Sequence, residues 1–195
     1  HEAEMQRSET KFRKLYDSIS DAVMVMGPQG MIECNQAALD LFGCKTKQAF
    51  LGQAPGLEMS PPKQEDGSDS AVLAQEYLDR TVREGDLRFE WLHRRLDNGE
   101  VFPAEVWLSV MELDGLHCVQ GIVRDITARR LAEQKIQWLA FYDELTRLPN
   151  RRLASDRLGQ ALAVSRRSRE MGAIMMLDLD NFKTLNDTQG HDAGD

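Results

Sequence analysis

Cysteine is scarce in this chain, with 3 in 195 residues. Cys34, Cys44 and Cys118 share no spacing that a metal site uses. They read as reduced, mostly buried thiols, so the expected setting is cytoplasmic. Long apolar runs are missing too. None approaches the roughly 20 residues that a bilayer-spanning helix needs, so no membrane segment is expected within these residues. Positive charge is in deficit: 24 Lys and Arg stand against 32 Asp and Glu, a net charge of -8. That balance argues against nucleic acid and anionic membrane surfaces as partners. The chain opens on His1 and not on Met. The expectation is therefore a piece of a longer protein, in which an upstream segment could supply a membrane tether.

What is present is ordinary globular material, 42% hydrophobic, at a length that suits one or two domains. Residues 5–20 place Phe12, Leu15, Tyr16 and Ile19 at intervals of 3 and 4 among charges, which predicts an amphipathic helix. Residues 22–26 and 31–34 are short apolar strands around the turn Gly27-Pro28-Gln29-Gly30. Asn35 can cap a helix that ends at Phe42, with Gly43 as its stop. Residues 46–51 allow a further helical turn, and 52–70 form a long loop. Helix returns over 71–84, with Val72, Leu73, Tyr77, Leu78 and Val82 as its apolar stripe.

Three strands follow at 87–95, 101–111 and 116–126, joined by Asp97-Asn98-Gly99 and Asp114-Gly115. Such tight turns predict an antiparallel meander. Phe102, Ala104, Val106, Leu108 and Val110 should line its core face. Two strands, helices and then three strands, with the N-x-A-A helix start at Asn35 and the closing stretch G-I-V-R-D-I-T-A-R-R, resemble a PAS domain over about residues 12–127. The resemblance implies a cavity between sheet and helices whose occupant sets the signal.

Residue chemistry narrows that occupant. Haem would need an axial ligand, and the histidines at hand, His93 on a strand and His117 at a hairpin edge, read as structural. Cys44 lies in F-G-C-K-T-K-Q, which does not match the N-C-R-F-L-Q of the covalent flavin subfamily. Trp91 and Trp107 on neighbouring strands could stack a planar ligand, or simply pack. The PAS ligand stays unknown, and neither haem nor covalent flavin is expected.

Residues 126–142 are rich in helix formers and lack Gly and Pro. Ala132, Ile136 and Leu139 allow a short coiled-coil seam there. Beyond a break at Asp143, Pro149-Asn150 resets the chain into a helix over 152–169, with Ala154, Leu158, Ala161, Leu162 and Ser165 on one face. The apolar run at 173–177 predicts a strand covered on both faces. Asp178 and Asp180 follow it, one residue apart, so in extended geometry they point the same way. A short helix is expected over 181–187 with Asp180 as its N-cap. Acids beside a helix start offer oxygens to a hard cation and N–H groups to phosphate, and Lys183 adds positive charge. The same residues also fit a plain cap with a solvated acid. An EF-hand loop fits poorly, because Phe182 and Lys183 stand where it wants an oxygen ligand and glycine.

The string D-L-D-N-F-K-T-L-N-D-T-Q-G-H-D-A-G-D, with D-E-L-T-R-L-P-N-R-R upstream, resembles the opening of the GGDEF domain of diguanylate cyclases. The signature hairpin that names that family lies outside the resembling stretch. The resemblance implies an activity that condenses two GTP into cyclic di-GMP and two pyrophosphates across two facing domains. It implies Mg²⁺ held by the Asp178 carboxylate and the Leu179 carbonyl, phosphates addressed by Asn181, Phe182 and Lys183, and guanine read by Asn186 and Asp195.

The expected architecture is an N-terminal amphipathic helix (1–20), an α+β PAS domain with a five-stranded antiparallel sheet (21–127), a helical linker (128–142) and a partial α/β GGDEF domain (143–195). GTP and a second copy, paired through the PAS region and the linker helix, are the expected partners. The fragment alone is expected to be inactive. Two other readings stay open: a degenerate GGDEF module that binds GTP without turnover, and a PAS dimerisation scaffold with no ligand.

Overall fold

The computed structural model describes residues 2–28, 30–51, 53, 58–113 and 115–190. They form two compact units, His1–Arg130 and Leu131–Asp195. In the first unit the order is α1 (Glu2–Asp17), β1 (Ala22–Gly27), β2 (Gly30–Cys34), α2 (Gln36–Phe42), α3 (Lys47–Phe50), α4 (Ser70–Glu84), β3 (Asp86–Arg94), β4 (Val101–Leu113) and β5 (Leu116–Asp125). The strands make one antiparallel sheet in the order β2-β1-β5-β4-β3. The meander β3-β4-β5 is the one its turn residues predict, and the first hairpin adds to it through β1 against β5.

Local chemistry accounts for the element ends. Asn35 caps α2 by accepting the Ala38 N–H, and Gly43 stops it at φ 71°, a left-handed value that a side chain would resist. Asp69 caps α4 by accepting the Ala71 and Val72 N–H groups. Along β4 the residues alternate, so that Phe102, Ala104, Val106 and Leu108 are buried with Met24, Phe42, Phe50 and Trp91 in one core. Val110, expected on the same buried face, is 37% exposed, where α4 has ended and the Gly85 carbonyl accepts the Val110 N–H.

The stripe on α4 is narrower than expected. Leu73, Tyr77 and Leu78 pack on the core, whereas Val72 and Val82 face outward. At about 100° per residue, both sit too far round the helix from Leu73 and Tyr77 to share their face. On α1, Tyr16 is half-buried while Leu15 is exposed, the Phe12 side chain lies outside the described residues, and Ile19, expected on the same helix, is exposed just beyond its end.

α5 (Thr127–Phe141) runs from the first unit into the second, which continues with α6 (Arg151–Ser168) and α7 (Phe182–Gln189). Asp143 closes the intervening turn by accepting the Thr146 N–H and hydroxyl, and Asn150 caps α6 through the Arg152 and Leu153 N–H groups. The Leu158 and Leu162 face of α6 is exposed. Residues 173–177 do not form the expected strand, and Met176 is 92% exposed. A strand needs a neighbour for its ladder, and among the described residues of this unit the only β-pairing is the single bridge Tyr142 to Pro149. Nor does Asp180 cap the next helix. Asn181 holds that position at φ 60°, with no side-chain cap bond, and α7 begins at Phe182.

Candidate functional site

The inward residues of β3 are Leu87, Phe89, Trp91 and His93. Phe89 and Trp91 form an aromatic cluster with Tyr77 of α4, in which the Tyr77–Phe89 and Phe89–Trp91 centroids lie 4.4 and 5.8 Å apart. Beside it is a cavity of about 50 Å³, lined by Met26, Tyr77, Leu78, Phe89, Trp91 and His93, among others. Trp91 donates its indole N–H to Ser60 Oγ at 2.9 Å. Trp107 is 51% exposed on the opposite face of the sheet, so the two tryptophans cannot sandwich a ligand.

His93 is buried edge-on to the Phe42 ring, with centroids 5.1 Å apart. Its Nδ1 lies 3.0 Å from the Met59 carbonyl. A carbonyl oxygen only accepts, so Nδ1 carries the proton and Nε2 the lone pair. That Nε2 is buried without a partner among the described residues. Burial pulls the His93 pKa down from 6.5 to about 4, so the ring is neutral at ordinary pH. His117, the other histidine considered as an axial ligand, is exposed. Cys34 and Cys118 are buried and Cys44 is half-buried, all three as free thiols; burial pushes Cys34 up to about 11.

The same unit also grips the root of α5. Asp125 accepts the Thr127 N–H at 2.8 Å, capping the helix, and pairs with Arg95 at 3.3 Å. Arg95 donates to the Leu41 carbonyl and sits over the Phe102 ring, 4.6 Å from its centroid. One turn into α5, Arg130 donates to both Glu65 and Glu90, while Arg129 reaches Glu90 at 3.0 Å. The Arg130 hydrogen bond holds the Glu90 carboxyl below its usual pKa. Sequence reasoning missed this clamp, because its partners lie 40 and 65 residues away and no local pattern links them.

In the second unit the motif residues are contiguous and open. Asp178 is exposed and accepts the Leu179 N–H at 2.9 Å. Asn181, Phe182 and Lys183 form the exposed start of α7, while Asn186 is half-buried one turn on, its Oδ1 without a partner among the described residues. Asp195, the second guanine-reading residue expected, lies outside the described residues. Among the described residues no group of three or more His, Cys, Asp or Glu is placed to hold a metal. One carboxylate and one carbonyl are part of the oxygen set that Mg²⁺ takes, the rest of which water and substrate phosphates commonly supply.

Comparison with known proteins sorts the two units. Residues 10–78 match the family profile described as a PAS domain, and residues 140–195 the one described as diguanylate cyclase, GGDEF domain. An uncharacterised signalling protein of Caulobacter vibrioides is 31% identical over 194 residues, which cover 95% of this chain and 21% of that protein. The bifunctional diguanylate cyclase/cyclic di-GMP phosphodiesterase MucR of Pseudomonas aeruginosa is 44% identical over 69 residues, covering 35% of this chain and 10% of that protein. The chain thus spans about a fifth of the length of one of these relatives and a tenth of the other. Among solved structures, the PAS domain of an HTR-like protein from Haloarcula marismortui aligns with a TM-score of 0.52 at 22% identity. It covers 64% of this chain and 97% of that domain. That likeness shows the PAS fold of the first unit. Among the described residues no helix is long and apolar enough to cross a membrane.

Proposed function

With PAS-domain sequence in residues 10–78 and GGDEF-domain sequence in residues 140–195, we propose that this chain is the sensing and coupling part of a protein that makes cyclic di-GMP from two GTP. The observation that carries the reading is the order of parts. A PAS sheet, a helix whose root is ion-paired to that sheet, and cyclase motifs follow one another along one chain. In the complete domain Asp178 and the Leu179 carbonyl address Mg²⁺, Asn181, Phe182 and Lys183 the phosphates, and Asn186 and Asp195 the guanine. An amide and a carboxylate suit the mixed acceptors and donors of that base. The metal would supply neutralisation of phosphate charge. Lys183, exposed at the start of α7, is free to add its own positive charge there.

Two copies have to face each other for this reaction, and the exposed Ala132, Ile136 and Leu139 on α5 give the linker an apolar strip for pairing with its copy. Activity in the 195-residue polypeptide itself is not expected, since its described residues leave the metal set incomplete. Purified chain incubated with GTP and Mg²⁺ should yield no cyclic di-GMP by mass spectrometry. The protein extended through the rest of the GGDEF domain should yield it, and Asp178→Asn there should lower turnover far more than GTP binding measured without metal. Equal loss of both would make Asp178 a structural residue and overturn its assignment.

A further inference from the structure

We propose that Asn98 and Gly99, in the turn between β3 and β4, are a site of spontaneous covalent modification, at which the asparagine converts through a cyclic imide to isoaspartate and aspartate. The chain holds five asparagines, and Asn98 is the one followed by glycine. Ring closure needs the next residue's backbone nitrogen to reach the side-chain carboxamide carbon, and a side chain on that next residue stands in the way. Gln36, Arg151, Phe182 and Asp187 follow the other four. Asn35 is, besides, fully buried with both ends of its amide bonded.

The fold leaves this turn ready for the reaction. Asn98 and Gly99 are exposed, and a Cβ at Gly99 would meet nothing within 4 Å, so the ring has room. Asn98 Oδ1 accepts the Glu100 N–H at 2.8 Å, which folds the carboxamide back along its own main chain and draws electron density from its carbon. Its Nδ2, the leaving nitrogen, has no hydrogen bond among the described residues. One bond opposes attack: the Gly99 N–H is donated to the Arg95 carbonyl at 3.1 Å. That bond lies in an exposed turn, where local opening costs little, and Gly99, at φ 74°, has no side chain to restrict its rotation.

The atoms balance with water as the only co-reactant. The Gly99 nitrogen gives up its proton to solvent and bonds to Asn98 Cγ, the Cγ–Nδ2 bond breaks, and Nδ2 takes up a proton and leaves as ammonia. Water then opens the imide. Attack at Cγ yields aspartate, whereas attack at the Asn98 main-chain carbonyl yields isoaspartate, with the chain rerouted through Cγ. The main-chain carbonyl is the more electron-poor, because the carbon next to it carries an amide nitrogen, so isoaspartate is the larger product. Either product puts a new carboxylate in the loop that the Arg95 N–H closes on the Glu100 carbonyl at 2.8 Å, and the Arg95 guanidinium also pairs with Asp125.

The test incubates the 195-residue chain for days at pH 8, folded in one sample and unfolded in urea in another, and follows each asparagine by peptide mass spectrometry. In the folded chain the peptide holding Asn98 should gain the mass of amide-to-acid exchange at least tenfold faster than those holding Asn150, Asn181 and Asn186, and no more than tenfold slower than in urea. The isoaspartate formed should accept enzymatic methylation on its free α-carboxylate. Conversion should slow as the pH is lowered toward 6, since the attacking nitrogen has to lose its proton. Asn98→Gln, whose longer side chain has to close a larger ring, should show no such gain at that position. Conversion in the folded parent no faster than at the other three asparagines would overturn the proposal, whatever the variant does. So would aspartate formed without isoaspartate, which would mean direct hydrolysis with no imide.

Discussion

Asn35 concentrates more order than any other single side chain described in the first unit. It is fully buried; its Oδ1 accepts the Val23 N–H at 2.9 Å and the Ala38 N–H at 3.0 Å, and its Nδ2 donates to the Asp21 carbonyl at 3.0 Å. One amide thus ties the chain before β1, β1 itself and the start of α2. Asn35→Ala would strand three buried backbone groups, so urea unfolding should show a loss of about 2–4 kcal/mol. Asn35→Asp, which keeps both acceptances, should recover part of it. A loss under about 0.5 kcal/mol would mean that neighbouring backbone re-pairs without it. The capping role was legible in the sequence from Asn35 before an apolar helix with Gly43 at its end. The bonds to Val23 and Asp21 were not, because they depend on tertiary approach.

His93 makes stability depend on pH in a calculable direction. Its folded pKa near 4 lies below the unfolded 6.5, so between those values the unfolded chain takes up a proton that the folded chain refuses. Stability is full above about pH 7 and falls as pH drops toward 4, by about 3 kcal/mol over the whole window. The groups packed round the ring are the Met59 carbonyl and the Phe42 and Phe102 rings, with the Arg95 guanidinium over Phe102. Chemical denaturation at pH 7 and pH 5 should show the loss, and His93→Phe should remove most of it, since the Met59 carbonyl keeps the Arg94 N–H. An unchanged slope in the variant would place the pH dependence on carboxylates instead.

At the scale of elements, α5 is two helices in physical terms. Its first turn is held by Asp125, Glu65 and Glu90, and its later turns carry exposed Leu131 and Ile136. Exposed ion pairs add little to global stability, about 0–1 kcal/mol. Their effect is local. Arg130→Gln should leave the unfolding midpoint nearly unchanged yet speed amide hydrogen exchange at residues 127–131 severalfold. Exchange equal to the parent's would show that the Asp125 cap alone holds the helix root. The strands of the sheet were readable from their turn residues and alternation, because those are local signals. Residues 173–177 carry the same kind of apolar signal and form no strand, because a ladder also needs neighbours. The clamp on Arg130 had no sequence signal of any kind, being made of charges that look like ordinary surface until the fold brings them together.

For the whole molecule, the claim is that events in the PAS unit reach the GGDEF motifs through the rotational phase of α5. A helix of this length is marginal alone in water, so pairing with its copy or with flanking domains has to order it. Four residues inserted after Gln134 advance the helix by about 6 Å and turn it about 40° past a full turn, whereas seven leave it about 20° short of two turns. The deciding measurement is cyclic di-GMP production by the protein extended through its complete GGDEF domain, compared with its four- and seven-residue insertion variants. The parent should yield product, the four-residue variant abolished or unregulated output, and the seven-residue variant output that keeps substantial regulation. No product from the parent, or identical behaviour of all three proteins, would contradict it.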